Sequence, residues 1–315
     1  MIKNTPIEDM VADEKELKWF FDHCLFPLQP YEAYTMILVS RHKKLTEQER
    51  IDTGMTKRQA EFLRTEMLRR PPFKQEGDEQ TKNITFDRFL KTVRKLNFDV
   101  GAYLTPTGAP LPSKTLAVLM YVNPCDSMKV WDYVCDKVEN SRTALIKAGI
   151  NDKKTIDYAQ NLQVFGNIGD LVKHASALCK GSTYWLDFDV DVPDWWKCDT
   201  TNVYYRSMIF ALNARFGYGN YVVISTSGGY HVMVRITSVL SNPNDFAQYL
   251  INIYKQAVFE KHMPAYLDDK GNDKFECKLN NTSIPGVPLP GTYQYNRPVT
   301  VLNKEDYVDA DKAAK

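Results

Sequence analysis

The chain has 315 residues, of which 43% are hydrophobic and 25% charged, and 40 Lys/Arg against 39 Asp/Glu leave a formal net charge of +1. This length buries a large core in one or two domains, and the charge balance excludes a globally basic nucleic-acid binder. No apolar run approaches the roughly 20 residues that span a bilayer, and the polar, acidic opening has no signal-peptide character. A cytoplasmic protein without a membrane partner is expected.

In chain order, residues 1–14 read as a flexible N-terminus. Glu14 to Leu25 has helical spacing, with Leu17, Phe20, Phe21 and Cys24 on one side. Tyr34 to Val39 reads as a strand, followed at once by Arg41, Lys43 and Lys44. Between Arg41 and Lys74 stand ten Lys/Arg and five Asp/Glu. Thr56 to Arg69 is expected to be a helix capped by Thr56 and stopped by Pro71-Pro72. Lys74 to Asn83 reads as a polar loop, Thr85 to Leu96 as an amphipathic helix, and Thr105 to Pro112 as a loop. Leu116 to Val122 is a buried strand and Met128 to Lys147 a helix, while 151–171 is mixed.

The six cysteines (Cys24, Cys125, Cys135, Cys179, Cys198, Cys277) form no C-x-x-C pair, so neither a zinc ribbon nor a disulfide framework is expected.

Tyr184 to Asp191 is an apolar strand carrying carboxylates at 187 and 189. Side chains alternate along a strand, so Asp187 and Asp189 share a face about 7 Å apart. Two buried like charges need a cation, and hard carboxylate oxygens favour Mg²⁺ or Mn²⁺. The competing reading is an exposed turn at the strand exit, where Asp191, Pro193 and Asp194 follow. Thr200 to Phe216 reads as a helix with Val203, Ile209, Phe210 and Ala214 as its apolar positions. Tyr221 to Ser225 and Tyr230 to Ile236 read as strands joined by a tight turn at Ser227-Gly228-Gly229. Exposed N–H groups in such a turn can receive phosphate, and His231 heads the second strand. Asp245 to His262 is a helix; 274–279 and 292–302 are strands; the charged tail 304–315 has no evident anchor. Pro288-Leu289-Pro290-Gly291-Thr292 forms a rigid turn, preceded by Asp268, Asp269, Asp273 and Glu276. The mixed order of strands, helices and hairpins is that of an α+β protein of two lobes.

Three segments, Asp187-Phe188-Asp189, Ser227 to His231, and Phe275-Glu276 followed by Pro290-Gly291-Thr292, together resemble the archaeo-eukaryotic primase superfamily, its PrimPol-like phage and mobile-element members above all. The resemblance extends over about 15–303 and includes Leu116-Ala117-Val118 running into Asn123-Pro124. It implies a primase fold, in which an RRM-like catalytic sheet (about 181–303) packs with a second α/β lobe (about 15–180). It implies DNA primase or polymerase activity by a two-metal mechanism, with two Mg²⁺ or Mn²⁺ ions held by Asp187, Asp189 and Glu276. Glu276 stands where the family more often has Asp, and Asp268 is its rival. Ser225, Ser227, Gly228, Gly229 and His231 would bind the nucleotide (NTP or dNTP). Arg41, Lys43, Lys44 and Arg297 would hold a single-stranded DNA template, with Trp195 and Trp196 either stacking on it or packing internally. A helicase would come from another chain, and the setting would be the host cytoplasm for a viral protein. Two alternatives stand beside this: a replication-initiation module that binds DNA or nucleotide without catalysis, and a metal-dependent nuclease using Lys278.

Overall fold

The computed structural model describes residues 10–42, 45–56, 60–70, 84–96, 104–148, 168–192, 202–238, 242–260, 265–268, 270–280 and 286–307. The architecture is α+β with two antiparallel sheets, and the chain divides into two compact units, Met1–Met10 with Leu25–Thr183 and Val11–Cys24 with Tyr184–Lys315.

The first unit is built on strand β1 (Glu32–Arg41), whose side chains are buried on both faces until its last residue. It pairs antiparallel with β2 (Ala60–Arg69), β3 (Leu116–Tyr121) and the short β4 (Cys125–Asp126). Helices α4 (Ser127–Ala148) and α5 (Ile168–Leu178) pack Val130, Val134, Leu171 and Ala175 against Ala33 and Cys125. Helix α3 (Phe86–Arg94) lies within the helix expected over 85–96 and is capped by the Thr85 hydroxyl.

The helix expected over 56–69 is instead strand β2. Helix propensity differs by at most about 0.7 kcal/mol per ordinary residue. The ladder with β1, running from Ala33↔Arg69 to Arg41↔Ala60, satisfies a whole row of β1 backbone groups that a helix would leave unpaired. Thr56 caps nothing. The helix lies upstream as α2 (Glu47–Thr53), held by a capping box in which Thr46 Oγ1 accepts from the Glu49 N–H and the Glu49 carboxylate accepts from the Thr46 N–H. Gly54, at φ 68°, ends it.

In the second unit β5 (Trp185–Asp191), α6 (Val203–Phe216), β6 (Tyr221–Ser225), β7 (Gly229–Arg235), α7 (Pro243–Glu260) and β8 (Glu276–Leu279) follow in a β-α-β-β-α-β order. The strands lie in the sequence β12-β6-β7-β5-β8, with β12 (Thr300–Val301) at one edge. Phe188, Val190, Tyr221, Val223, Tyr230, Val232 and Val234 face α6 and α7, where Tyr204, Met208, Leu212, Phe246, Leu250 and Tyr254 complete the core. The buried positions of α6 are therefore Tyr204, Tyr205, Met208, Ala211, Leu212 and Phe216, whereas Phe210 is largely exposed. The helix starts later than its sequence suggests, because the Asn202 side chain accepts the Tyr204 N–H and caps it.

The strand expected over 292–302 is broken. Short strands β10 (Tyr293–Gln294) and β11 (Arg297–Pro298) form a hairpin whose turn residues Tyr295 and Asn296 both have positive φ, as type I′ turns require; β9 (Gly286–Pro288) precedes them. Gly291 seats helix α1 (Glu14–Cys24). Its carbonyl accepts the N–H groups of Ala12 and Asp13, and a Cβ there would stand 2.5 Å from the Leu17 nitrogen. Ala12 and Asp13 are thus held in place within the segment expected to be flexible. The start of the charged tail is also anchored: Tyr307 Oη donates to the Tyr221 carbonyl, and Lys304 pairs with the buried carboxylate of Glu16. Residues 1–9 and 308–315 lie outside the described residues.

Candidate functional site

Register decides which side chains of the second unit meet. Strand β5 pairs Asp187 with Met233, Asp189 with His231 and Asp191 with Gly229 on β7. On its other side Asp189 opposes Lys278 and Asp191 opposes Glu276 of β8. The ladder continues one step, where the Asn280 N–H donates to the Asp187 carbonyl at 2.7 Å. All of these residues occupy the sheet face opposite α6 and α7, because their strand neighbours Phe188, Val190, Val232 and Cys277 fill the helix-side core.

Asp187 and Asp189 differ in setting. The Asp187 side chain is fully buried, whereas that of Asp189 is 49% exposed. His231 lies between them. Its Nδ1 is 3.0 Å from Asp187 Oδ2 and 3.1 Å from Oδ1, and its Nε2 faces Asp189 Oδ1 at 3.6 Å. An ionised carboxylate only accepts, so Nδ1 carries the proton. Asn280 Nδ2 donates to Asp187 Oδ2 at 2.9 Å. Both oxygens of the buried carboxylate are thereby held by donors, which is the condition for burying a charge.

Glu276 shares the face but not the cluster. Its carboxylate forms an ion pair with Lys278 of the same strand. That hydrogen bond first, opposed by burial and then aided by the fields of Glu276, Asp191 and Asp189, holds the Lys278 ammonium above its ordinary pKa. Asp268, the rival, sits in a turn of its own and accepts the N–H groups of Lys270 and Asn272. Among the described residues no three His, Cys, Asp or Glu side chains gather as a ligand set. The chemistry of Asp187 and Asp189, hard carboxylate oxygens on one face with one of them reaching solvent, fits a divalent cation of the Mg²⁺ or Mn²⁺ type. Glu276 joins them only by leaving Lys278.

The glycine turn is closed rather than open. Thr226 Oγ1 accepts the N–H groups of Gly228 and Gly229, and the Ser227 N–H donates to Gln294 Oε1 at 2.7 Å. The backbone donors expected to cradle phosphate are therefore engaged within the chain. The glycines are needed for close approach. A Cβ on Gly229 would lie 1.9 Å from the Val190 carbonyl oxygen, and one on Gly228 would lie 3.3 Å from Asp191 Oδ1. Ser225, paired with Tyr230 and Thr300, shares the strand parity of Tyr221 and Val223, so its side chain is directed to the helix side and not to the carboxylates.

Arg297 is the Cα partner of Gln294, whose side chain accepts the Ser227 N–H. Arg41 ends β1 in the other unit. Lys43, Lys44, Trp195 and Trp196 lie outside the described residues. Asn280 and Gln294 are the site residues that sequence reasoning missed. Neither belongs to a spacing pattern, and each is identified only by the strand or hairpin that delivers it. Among the described residues no helix is long and apolar enough to cross a membrane. The chain matches no family model, no curated protein and no solved structure.

Proposed function

We propose that this protein is a template-dependent nucleotidyltransferase, a DNA primase or polymerase with a primase-type fold and an RRM-like catalytic sheet, acting on single-stranded DNA with NTPs or dNTPs. The observation that carries the reading is Asp187 and Asp189 on one face of β5, with His231 between them. The β-α-β-β-α-β order of the unit agrees with it.

Asp187 and Asp189 would hold Mg²⁺ or Mn²⁺, with Glu276 as the third ligand. The bound ions supply Lewis acidity toward phosphate oxygens and lower the pKa of an attacking 3′-hydroxyl. The half-exposed Asp189 would be the carboxylate that takes the ion from solvent, while Asp187 is oriented by His231 and Asn280. His231 itself is engaged with both carboxylates, through Nδ1 with Asp187 and through Nε2 facing Asp189. Lys278, on the same face and paired with Glu276, would supply a cation for the nucleotide's negative charge if Glu276 served the ion instead. Arg297, whose Cα partner Gln294 accepts the Ser227 N–H, would extend that positive character.

The test is a primer-free and primed incorporation assay on single-stranded template with Mg²⁺ or Mn²⁺, comparing NTPs with dNTPs. Incorporation lost in Asp189→Ala supports the reading, and incorporation unchanged in Asp187→Ala/Asp189→Ala sinks it. A metal-dependent nuclease is the second reading, favoured by Lys278 standing opposite Asp189 in register. Shortening of labelled single-stranded DNA without nucleotides would establish that reading instead.

A further inference from the structure

The same-face residues of β5 and β8 stand in three rows: Asp191 opposite Glu276, Asp189 opposite Lys278, and Asp187 opposite Asn280. The first two β8 residues are charged and tied to each other. The third is neutral and bonded to the carboxylate it faces. The geometry points to Asn280 as a positioning residue that sets the orientation of Asp187 for cation binding, an inference that rests on the nucleotidyltransferase reading.

Two bonds from one residue make the clamp. The backbone bond from Asn280 N to the Asp187 carbonyl, at 2.7 Å, locates the Asn280 Cα relative to β5. The side-chain amide then reaches Asp187 Oδ2 at 2.9 Å with little freedom left. His231 Nδ1 holds the same carboxylate from β7. Donors from two strands thus stop the carboxylate from rotating about its last bond. Each oxygen also keeps acceptor capacity, since a carboxylate offers about four lone-pair sites. An amide matters here because it is uncharged. A lysine in the third row, like Lys278 in the second, would cancel the charge that attracts a cation; asparagine orients the carboxylate and leaves that charge intact. Donors that orient a metal-binding carboxylate without touching the metal typically govern affinity by 10–100-fold.

The experiment is calorimetric titration of Mn²⁺ alone into wild-type, Asn280→Ala and Asn280→Ser protein, with circular dichroism to establish folding and nucleotide incorporation measured alongside. Asn280→Ala should weaken Mn²⁺ binding about tenfold and lower kcat while the nucleotide KM stays within about twofold. Asn280→Ser, which retains a shorter donor, should fall between it and wild type, and it carries the comparison alone if the alanine variant does not fold. A folded variant that binds Mn²⁺ as wild type does overturns the inference, since a residue that only fastens β8 to β5 would change stability and not affinity. Wild-type protein that takes up no Mn²⁺ overturns the nucleotidyltransferase reading itself, and this inference with it.

Discussion

His231 Nδ1 lies 3.0 Å from Asp187 Oδ2, although the two residues are not register partners; the partner of His231 is Asp189. The imidazole reaches diagonally to the buried carboxylate and turns its other nitrogen toward the exposed one. This makes the two aspartates unequal.

Replacing them should separate stability from activity. Asp187→Ala removes the acceptor shared by the buried His231 Nδ1 and the part-buried Asn280 Nδ2 and should cost about 1–3 kcal/mol. Asp189→Ala, at a half-exposed position, should stay within about 0.5 kcal/mol. Urea unfolding measures both. Both variants should lose incorporation, so equal stabilities would contradict the asymmetry seen here.

Gly229→Ala should be among the most damaging small changes in the second unit. The added methyl would stand 1.9 Å from the Val190 carbonyl oxygen, so the β5–β7 ladder must shift beside Asp189 and His231. Gly271→Ala is the control. It shares a positive φ, but its Cβ meets nothing within 4 Å, leaving only the left-handed backbone cost of about 1–2 kcal/mol. Thermal melts of the two should differ clearly, with Gly229→Ala the lower.

The thiols should react in order of exposure. Burial first, then the fields of Asp189 and Asp187, pushes Cys277 up to about 12. At pH 8 its thiolate fraction would then be about one in ten thousand, and the thiolate is the nucleophile. Cys135 is exposed. A thiol-reactive chromophore at pH 8 should therefore label Cys135 quickly and Cys277 only on unfolding. Rapid modification of Cys277 in the native protein would mean that β8 opens.

Helix α2 offers a test at a distance from the site. Thr46→Ala removes the hydroxyl half of its capping box and should cost about 1 kcal/mol. Glu49, the other half, has its carboxyl held below the usual range, by Lys114 first and by the Thr46 N–H next. A depressed carboxylate stabilises the fold fully above its unfolded pKa, and that contribution fades as pH falls through the folded value. The stability advantage of wild type over Glu49→Gln should accordingly be present at pH 7 and shrink in acid, as chemical denaturation at each pH will measure.

Much of the fold was legible because short-range physics determines it. The alternation in Trp185–Asp191, the apolar run Leu116–Tyr121, the amphipathic spacing of the helix after Thr85 and the glycines between β6 and β7 each announce their element without reference to the rest of the chain. Segment 60–69 misled for the converse reason. Its residues suit a helix, yet the vacant edge of β1 outweighs that preference. The glycine turn was placed correctly, but its donors were misjudged. Thr226 and Gln294 already occupy them, and Gln294 lies 67 residues from Ser227.

The sequence by itself determined that Asp187 and Asp189 share a face, because a strand's period of two admits no other arrangement. Only the tertiary structure decided what faces them. The antiparallel pairing of β5 with β7 and β8 brings His231 and Asn280 to Asp187, and sets Lys278 rather than Glu276 opposite Asp189. Register between strands distant in the chain depends on the packing of both sheet faces at once, and no local pattern encodes it.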